Sequence, residues 1–160
     1  AWAALNYMGI EGYQTVLAHC LQNAGYLRHR LEQLGFVKVI APDNQGPSVG
    51  FRIYNPQQVK DPDAEFAYEC RIQSGREYLE RLARNNAWHR RVFLERGRAG
   101  LFTNWVEFIA HTAYDDRGRH YRLPGEKAVF LNPATTRREI DIYIDTLCRA
   151  AAGRKAHAAE

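Results

Sequence analysis

Cysteine is scarce: Cys20, Cys70 and Cys148 are odd in number, far apart, and form no CxxC pair. That excludes a disulfide framework and a cysteine-rich metal site, and it points to a reducing, cytoplasmic setting. No apolar run approaches the roughly 18 residues needed to cross a bilayer, so no membrane partner is expected. The N-terminus lacks the basic region and apolar core of a secretory signal. It also lacks an initiator Met, and Trp2, Leu5 and Met8 already read as a helix in progress, so the chain is expected to begin within a domain. There is no GxGxxG, Walker loop, HExxH or GxSxG, no internal repeat and no low-complexity tract. The six histidines are scattered. His111 and His120 flank an expected hairpin, but two ligands do not hold a metal, and ordinary sheet histidines are the simpler reading. Cys20 beside His19 is no catalytic pair, because neighbours on a helix point about 100° apart. No catalytic residue, cofactor ligand or metal ligand can be nominated from these patterns.

What is present is the material of one globular domain: 160 residues, 46% hydrophobic, net charge +4. Residues 1–34 read as a long helical segment with a break at Gly9–Gly12. After the break Tyr13, Val16, Leu17, Cys20, Leu21, Ala24, Leu27, Leu31 and Leu34 keep the helical period, a run of roughly 35 Å. Such a helix is long enough to link this chain to another domain. Gly35 is the expected C-cap, with Arg28, His29 and Arg30 near the negative end of the helix. Residues 35–148 then read as a small domain and 149–160 as a frayed helix end or tail.

Within that domain, Phe36–Ile40 and Val49–Tyr54 are strands across a Pro42–Pro47 turn, close enough to pair antiparallel. Asp63 is placed to cap a helix from Ala64, and 64–100 is a helical, Arg-rich insert broken near Gly75, with Tyr78, Leu79, Leu82, Trp88 and Val92 as its patchy apolar face. Eight Arg stand between Arg71 and Arg98 against Glu77, Glu80 and Glu95, a local charge of +5. A nucleic-acid footprint is one reading; a solvated helix face beside i,i+4 acids is the simpler one. Trp105–Tyr114 reads as a third strand, returning from Tyr121 to Asn132 after the Asp115–Gly118 turn. Pro133 stops that strand, and Thr136 with Glu139 forms a capping box. Ile140, Tyr143, Ile144 and Leu147 give the last helix an apolar face. The expected class is α+β: a small antiparallel sheet with helices on one face, preceded by a long helix.

Three segments, in order, resemble the C-terminal part of the pyridoxal-phosphate-dependent group II amino-acid decarboxylases, the family of glutamate, aromatic amino acid and diaminobutyrate decarboxylases. Ala1-Trp2-Ala3-Ala4-Leu5 through Met8-Gly9-Ile10-Glu11-Gly12 is similar to its W-x-x-L-x-x-x-G-x-x-G helix junction. Gly46 through Phe51-Arg52 is similar to its G-x-x-x-F-R strand, and Asn132-Pro133-Ala134-Thr135-Thr136 through Ile140-Asp141 to its closing N-P-x-T-T…I-D helix. The likeness covers most of 1–54 and 103–148.

The resemblance implies the small domain of an aminotransferase-like, fold-type I enzyme that removes the α-carboxylate of an L-amino acid, with pyridoxal phosphate as the electron sink. It implies a homodimer in the full-length protein and a large upstream domain as partner, which holds the cofactor. The family's Schiff-base lysine sits in a His-Lys dipeptide, and none occurs here; Lys38, Lys60, Lys127 and Lys155 stand in other contexts. The chain is therefore expected to be inactive by itself. Several members place an Arg five residues before the Asn-Pro to bind a substrate carboxylate. Lys127 holds that position, keeping the charge without the bidentate fork; an exposed strand-end lysine beside Glu126 is the equal alternative. A different enzyme with this architecture, such as an aminotransferase, and a basic nucleic-acid-binding module are the rival functions.

Overall fold

A computed structural model describes residues 2–71, 75–97, 100–110 and 123–153. Among them are four helices and one four-stranded antiparallel sheet, an α+β architecture. The order is α1 (Trp2–Glu32), β1 (Val37–Ile40), β2 (Ser48–Ile53), α2 (Pro62–Glu69), α3 (Arg76–Arg96), β3 (Thr103–Val106), β4 (Gly125–Val129) and α4 (Arg137–Ala151). The strands lie in the order β1-β2-β4-β3.

Register assigns the faces, because cross-strand partners project to the same side. Phe51 lies opposite both Val39 and Glu126, and Glu126 opposite Trp105, so these share one face. Gly50, Lys127 and Asn104 form the next row and share the other. On the first face Val39, Val49, Phe51 and Ala128 pack with Ala24, Leu27 and Leu31 of α1 and Ile140, Tyr143 and Leu147 of α4. Burying such side chains stabilises the fold by about 1.5–3 kcal/mol each before the entropy cost. Phe51 meets Tyr143 edge-on, with ring centroids 6.3 Å apart.

The long helix bends where expected: Gly9 sits at φ 69°, ψ 178°, outside helical space and open to glycine without cost. Beyond it, only a narrow stripe from Cys20 enters the core, while Tyr7, Ile10, Leu17 and Leu21 stay exposed. The periodicity placed Leu17 and Leu21 on the apolar face, but the sheet is wide enough for only the Cys20-Ala24-Leu27-Leu31 line. α1 ends at Glu32 and closes in successive turns, Leu34 N–H to Leu31 O at 3.0 Å and Val37 N–H to Leu34 O at 3.0 Å. Gly35 has no positive φ and is not the left-handed cap the sequence suggested.

Two further boundaries differ from expectation. Asp61, not Asp63, caps α2: its carboxylate accepts from Ala64 N–H at 2.9 Å, with Pro62 in the first turn, where the missing N–H costs nothing. The third strand starts earlier than expected, at Thr103, and ends at Val106, while 111–114 of the expected Trp105–Tyr114 run and the Asp115–Gly118 turn lie outside the described residues. The chain leaves the sheet there because Ile109 turns back over the second face, its N–H donating to Leu123 O at 2.8 Å. A Cβ on Gly125 would lie 2.7 Å from Ile109 Cβ, and one on Gly50 would lie 3.1 Å from Ile109 Cδ1. Both strand glycines therefore mark a close crossing of chain over sheet. His111, His120 and residues 154–160 lie outside the described residues.

At the C-terminal end, Glu139 Oε2 accepts from Thr136 N–H at 2.5 Å and from Thr136 Oγ1 at 2.8 Å, closing the expected box. These bonds hold the Glu139 carboxyl below the usual carboxylate range. Ahead of the cap, the Thr135 carbonyl accepts from Asn23 Nδ2 at 2.7 Å and lies 2.9 Å from His19 Nε2. Tyr26 and Arg30 both bond Asp141, so α1 grips the first turns of α4.

Candidate functional site

Lys127 stands mid-strand on β4, exposed, on the sheet face away from the core. Its cross-strand neighbours are Gly50 and Asn104. Asn104 is exposed and sets an amide beside the ammonium on one flank, while on the other Gly50 contributes no side chain and is covered by Ile109. Among the described residues no carboxylate pairs with Lys127, whereas Lys38 on the same face is taken by Asp63. A groove of about 320 Å³ runs along β3, lined by Phe93, Leu94, Phe102, Trp105 and Asn104. An exposed cation flanked by a neutral donor can receive a carboxylate; alone it can do no bond chemistry.

The densest polar chemistry lies elsewhere, along α3. Its buried residues are Tyr78, Leu82, Asn85, His89, Val92 and Arg96, spaced alternately four and three apart on one face. Three of the six are polar. The expected apolar face of Tyr78, Leu79, Leu82, Trp88 and Val92 was half right: Leu79 is exposed, and Asn85, His89 and Arg96 complete the stripe.

These side chains meet two buried carboxylates. Glu69 of α2 receives Arg52 as a fork, Nε to Oε2 and Nη2 to Oε1, each at 2.7 Å. Tyr54 Oη donates to Oε2 at 2.6 Å and Asn85 Nδ2 to Oε1 at 3.0 Å. Arg52 spends its remaining donors on Pro124 O at 2.6 Å and Asn86 Oδ1 at 2.7 Å. Burial works against the Arg52 cation, but the charge and bonds of Glu69 outweigh it and raise its pKa further. Burial, then the Glu69 charge, pushes the Tyr54 hydroxyl far above its ordinary value. Asn85 also donates to Glu65 at 2.7 Å, and Glu65 pairs with Arg81. Those bonds hold the Glu65 carboxyl below the usual range against the opposing pull of burial.

Glu126 of β4 is the second. Arg96 and Thr103 Oγ1 (2.7 Å) donate to its Oε2, Tyr143 Oη reaches the same oxygen at 3.3 Å, and His89 Nε2 lies 3.3 Å from Oε1. Burial favours the neutral acid here, but the His89 bond and the Arg96 charge prevail and its pKa is lowered. The Arg96 guanidinium lies over the Tyr143 ring, 4.5 Å from its centroid, and its Nε and Nη1 are buried without a hydrogen-bond partner.

Arg52, the arginine of the F-R motif, is thus fully buried and spent on an internal ion pair. The Arg-rich stretch is likewise partly committed: Arg76 pairs with Glu80, Arg81 with Glu65, Arg91 with Glu95 and Arg96 with Glu126. No group of three or more His, Cys, Asp or Glu arranged to hold a metal occurs among the described residues, nor is any described helix long and apolar enough to cross a membrane.

No family model matches the chain. A 42-residue segment, 26% of this chain, is 40% identical to a probable L-tyrosine/L-aspartate decarboxylase of Methanocella arvoryzae. The matched segment spans 11% of that protein's length, so the likeness relates this chain to a decarboxylase over a short stretch only.

Proposed function

We propose that this chain is the C-terminal small domain of a pyridoxal-phosphate-dependent L-amino-acid decarboxylase. The observation that carries the reading is the 40% identity over 42 residues to a probable decarboxylase, coming from a chain whose ordered motifs resemble the same enzyme class. The α+β architecture, with a long bent helix leading into a small antiparallel sheet, suits that role.

The described residues do not themselves fit the cofactor. A Schiff-base lysine needs a sheltered amine, and the described candidates are otherwise engaged or open: Lys38 pairs with Asp63, Lys60 bonds Pro56 O at 3.0 Å, and Lys127 is exposed. Cofactor and bond chemistry then belong to a large domain upstream, in a cytoplasmic homodimer. This chain's part is recognition, with Lys127 meeting a substrate carboxylate and the buried pairs behind it holding β4 in place.

The test is the intact protein supplied with pyridoxal phosphate and L-tyrosine, L-aspartate or L-glutamate, scored for CO2 release against amino-group transfer. Release without transfer is expected. Transfer alone would move the domain to an aminotransferase. Pyridoxal phosphate added to the isolated chain should give no internal-aldimine absorbance beyond that of the free cofactor, and a stable lysine adduct there would refute the division of labour.

A further inference from the structure

His89 occupies an unusual post. It lies on α3, fully buried, at the point where β2 and β4 stop pairing. Phe51 opposite Glu126 is the last described pair of that ladder. The next residues along β4 offer little: Pro124 has no N–H, and its carbonyl is taken by Arg52. Ile53 N–H would face this gap, and His89 Nδ1 accepts it at 3.5 Å. With Nδ1 an acceptor, the ring proton sits on Nε2, which donates to Glu126 Oε1 at 3.3 Å. One neutral imidazole thus replaces a missing ladder bond on β2 and braces a buried carboxylate on β4. The Trp105 ring of β3 meets it edge-on, with centroids 5.1 Å apart.

The charges around it are already balanced. Glu126 of β4 is matched by Arg96 of α3, and Glu69 of α2 by Arg52 of β2. Tyr143 of α4 stays protonated and β3 faces the cluster with Thr103 and Trp105, neither of which titrates. A proton on His89 would add an unmatched charge in a dry site. It would also turn Nδ1 into a donor aimed at the Ile53 N–H, so the bracing bond becomes a repulsion. Burial first, with the Arg52 and Arg96 charges assisting, holds the His89 pKa below its ordinary value against the opposing bond and charge of Glu126.

We propose that His89 is a proton-sensitive latch joining α3 to the β2–β4 junction, closed while the ring is neutral and released by mild acid. The strand it releases is β4, which carries Lys127 directly after Glu126. The latch stands on the structure alone and is independent of the decarboxylase reading.

The sign follows from linkage. A histidine whose folded pKa is depressed stabilises the fold above the unfolded histidine value, near 6.5, and that stability is lost as pH falls toward the folded value. In that window the opening equilibrium should rise about tenfold per pH unit. Amide exchange at Ile53, read on the 160-residue chain between pH 7.5 and 5.5 and corrected for intrinsic rates, should stay level down to about pH 6.5 and follow that slope below it. Ring-nitrogen NMR should show the Nε2–H tautomer, still neutral at about pH 5.5, a unit below the ordinary histidine value. His89→Gln, whose amide can accept from Ile53 and donate to Glu126 without titrating, should flatten the pH dependence. Titration of His89 at the ordinary histidine value, near 6.5, or an Ile53 exchange slope unchanged in His89→Gln, would overturn the latch. Should that variant fail to fold, the ring spectrum of the parent decides alone: a neutral Nε2–H ring at that pH supports the latch, and a charged ring refutes it.

Discussion

Glu69 and Glu126 are both buried carboxylates bonded to a buried arginine, yet they are finished differently. Every strong donor around Glu69 is used: a two-pronged Arg52, Tyr54 and Asn85 fill both oxygens, and Arg52 has Pro124 and Asn86 for the rest. Around Glu126 three donors crowd one oxygen, the other has only a long contact to His89, and Arg96 leaves two N–H groups without partners. A satisfied network rigidifies, whereas a partly satisfied one is where a small change in protonation or contact shows first. The first cluster is the fixed joint between β2, α2 and α3, and the second is the sensitive one.

That contrast can be broken at several points. Glu69→Gln keeps the volume but strands the Arg52 charge, and should cost about 3–5 kcal/mol in urea unfolding of the chain. Glu126→Gln strands the buried Arg96, which has no carbonyl or amide to fall back on as Arg52 has in Pro124 and Asn86, and should cost at least as much, about 3–5 kcal/mol. A clearly smaller loss in Glu126→Gln would end the distinction between a finished and an unfinished cluster. Acid sharpens the same comparison. Glu65 and Glu126 both have depressed pKa values, so their stabilisation is present at neutral pH. It fades as pH falls below the ordinary carboxylate value, near 4.3, toward the folded values. Denaturation midpoints should therefore drop steeply below about pH 4, and less so in Glu126→Gln. Thr136→Ala, which removes the threonine half of the α4 box, should cost about 1 kcal/mol. Arg76→Ala breaks an exposed i,i+4 pair and should leave the midpoint unchanged.

Much of the framework was legible because it rests on local grammar. Pro133, Thr136 and Glu139 announce the start of α4, Gly9 the bend of α1, and the alternation in Val49–Ile53 the central strand. The interior polar joint was not legible in the same way. Arg52, Glu69, His89, Arg96 and Glu126 come from four elements and look like surface residues until the fold apposes them. Formal charge placed Arg96 with a solvated face, although its side chain is fully buried. One signal was available: the four-three alternation from Tyr78 through Leu82, Asn85, His89 and Val92 to Arg96 defines a single buried stripe, polar members included. The third strand was misjudged because Trp105–Ala110 has strand-like composition, while the crossing of Ile109 over Gly50 and Gly125 is a tertiary event. Lys127 was found by resemblance; neither periodicity nor burial distinguishes it from any exposed lysine.

Lys127 also offers the most direct trial of the functional account. If the proposed decarboxylase function holds, the intact protein compared with Lys127→Ala and Lys127→Arg for the substrate dependence of CO2 release tests the role of this residue. Losing a charge-assisted bond to a carboxylate, worth about 1.5–3 kcal/mol, predicts a KM raised roughly ten- to hundredfold in Lys127→Ala. Lys127→Arg should retain most of the affinity, since arginine keeps the charge and adds the fork. An unchanged KM in Lys127→Ala would contradict the proposal that this domain reads the substrate through β4.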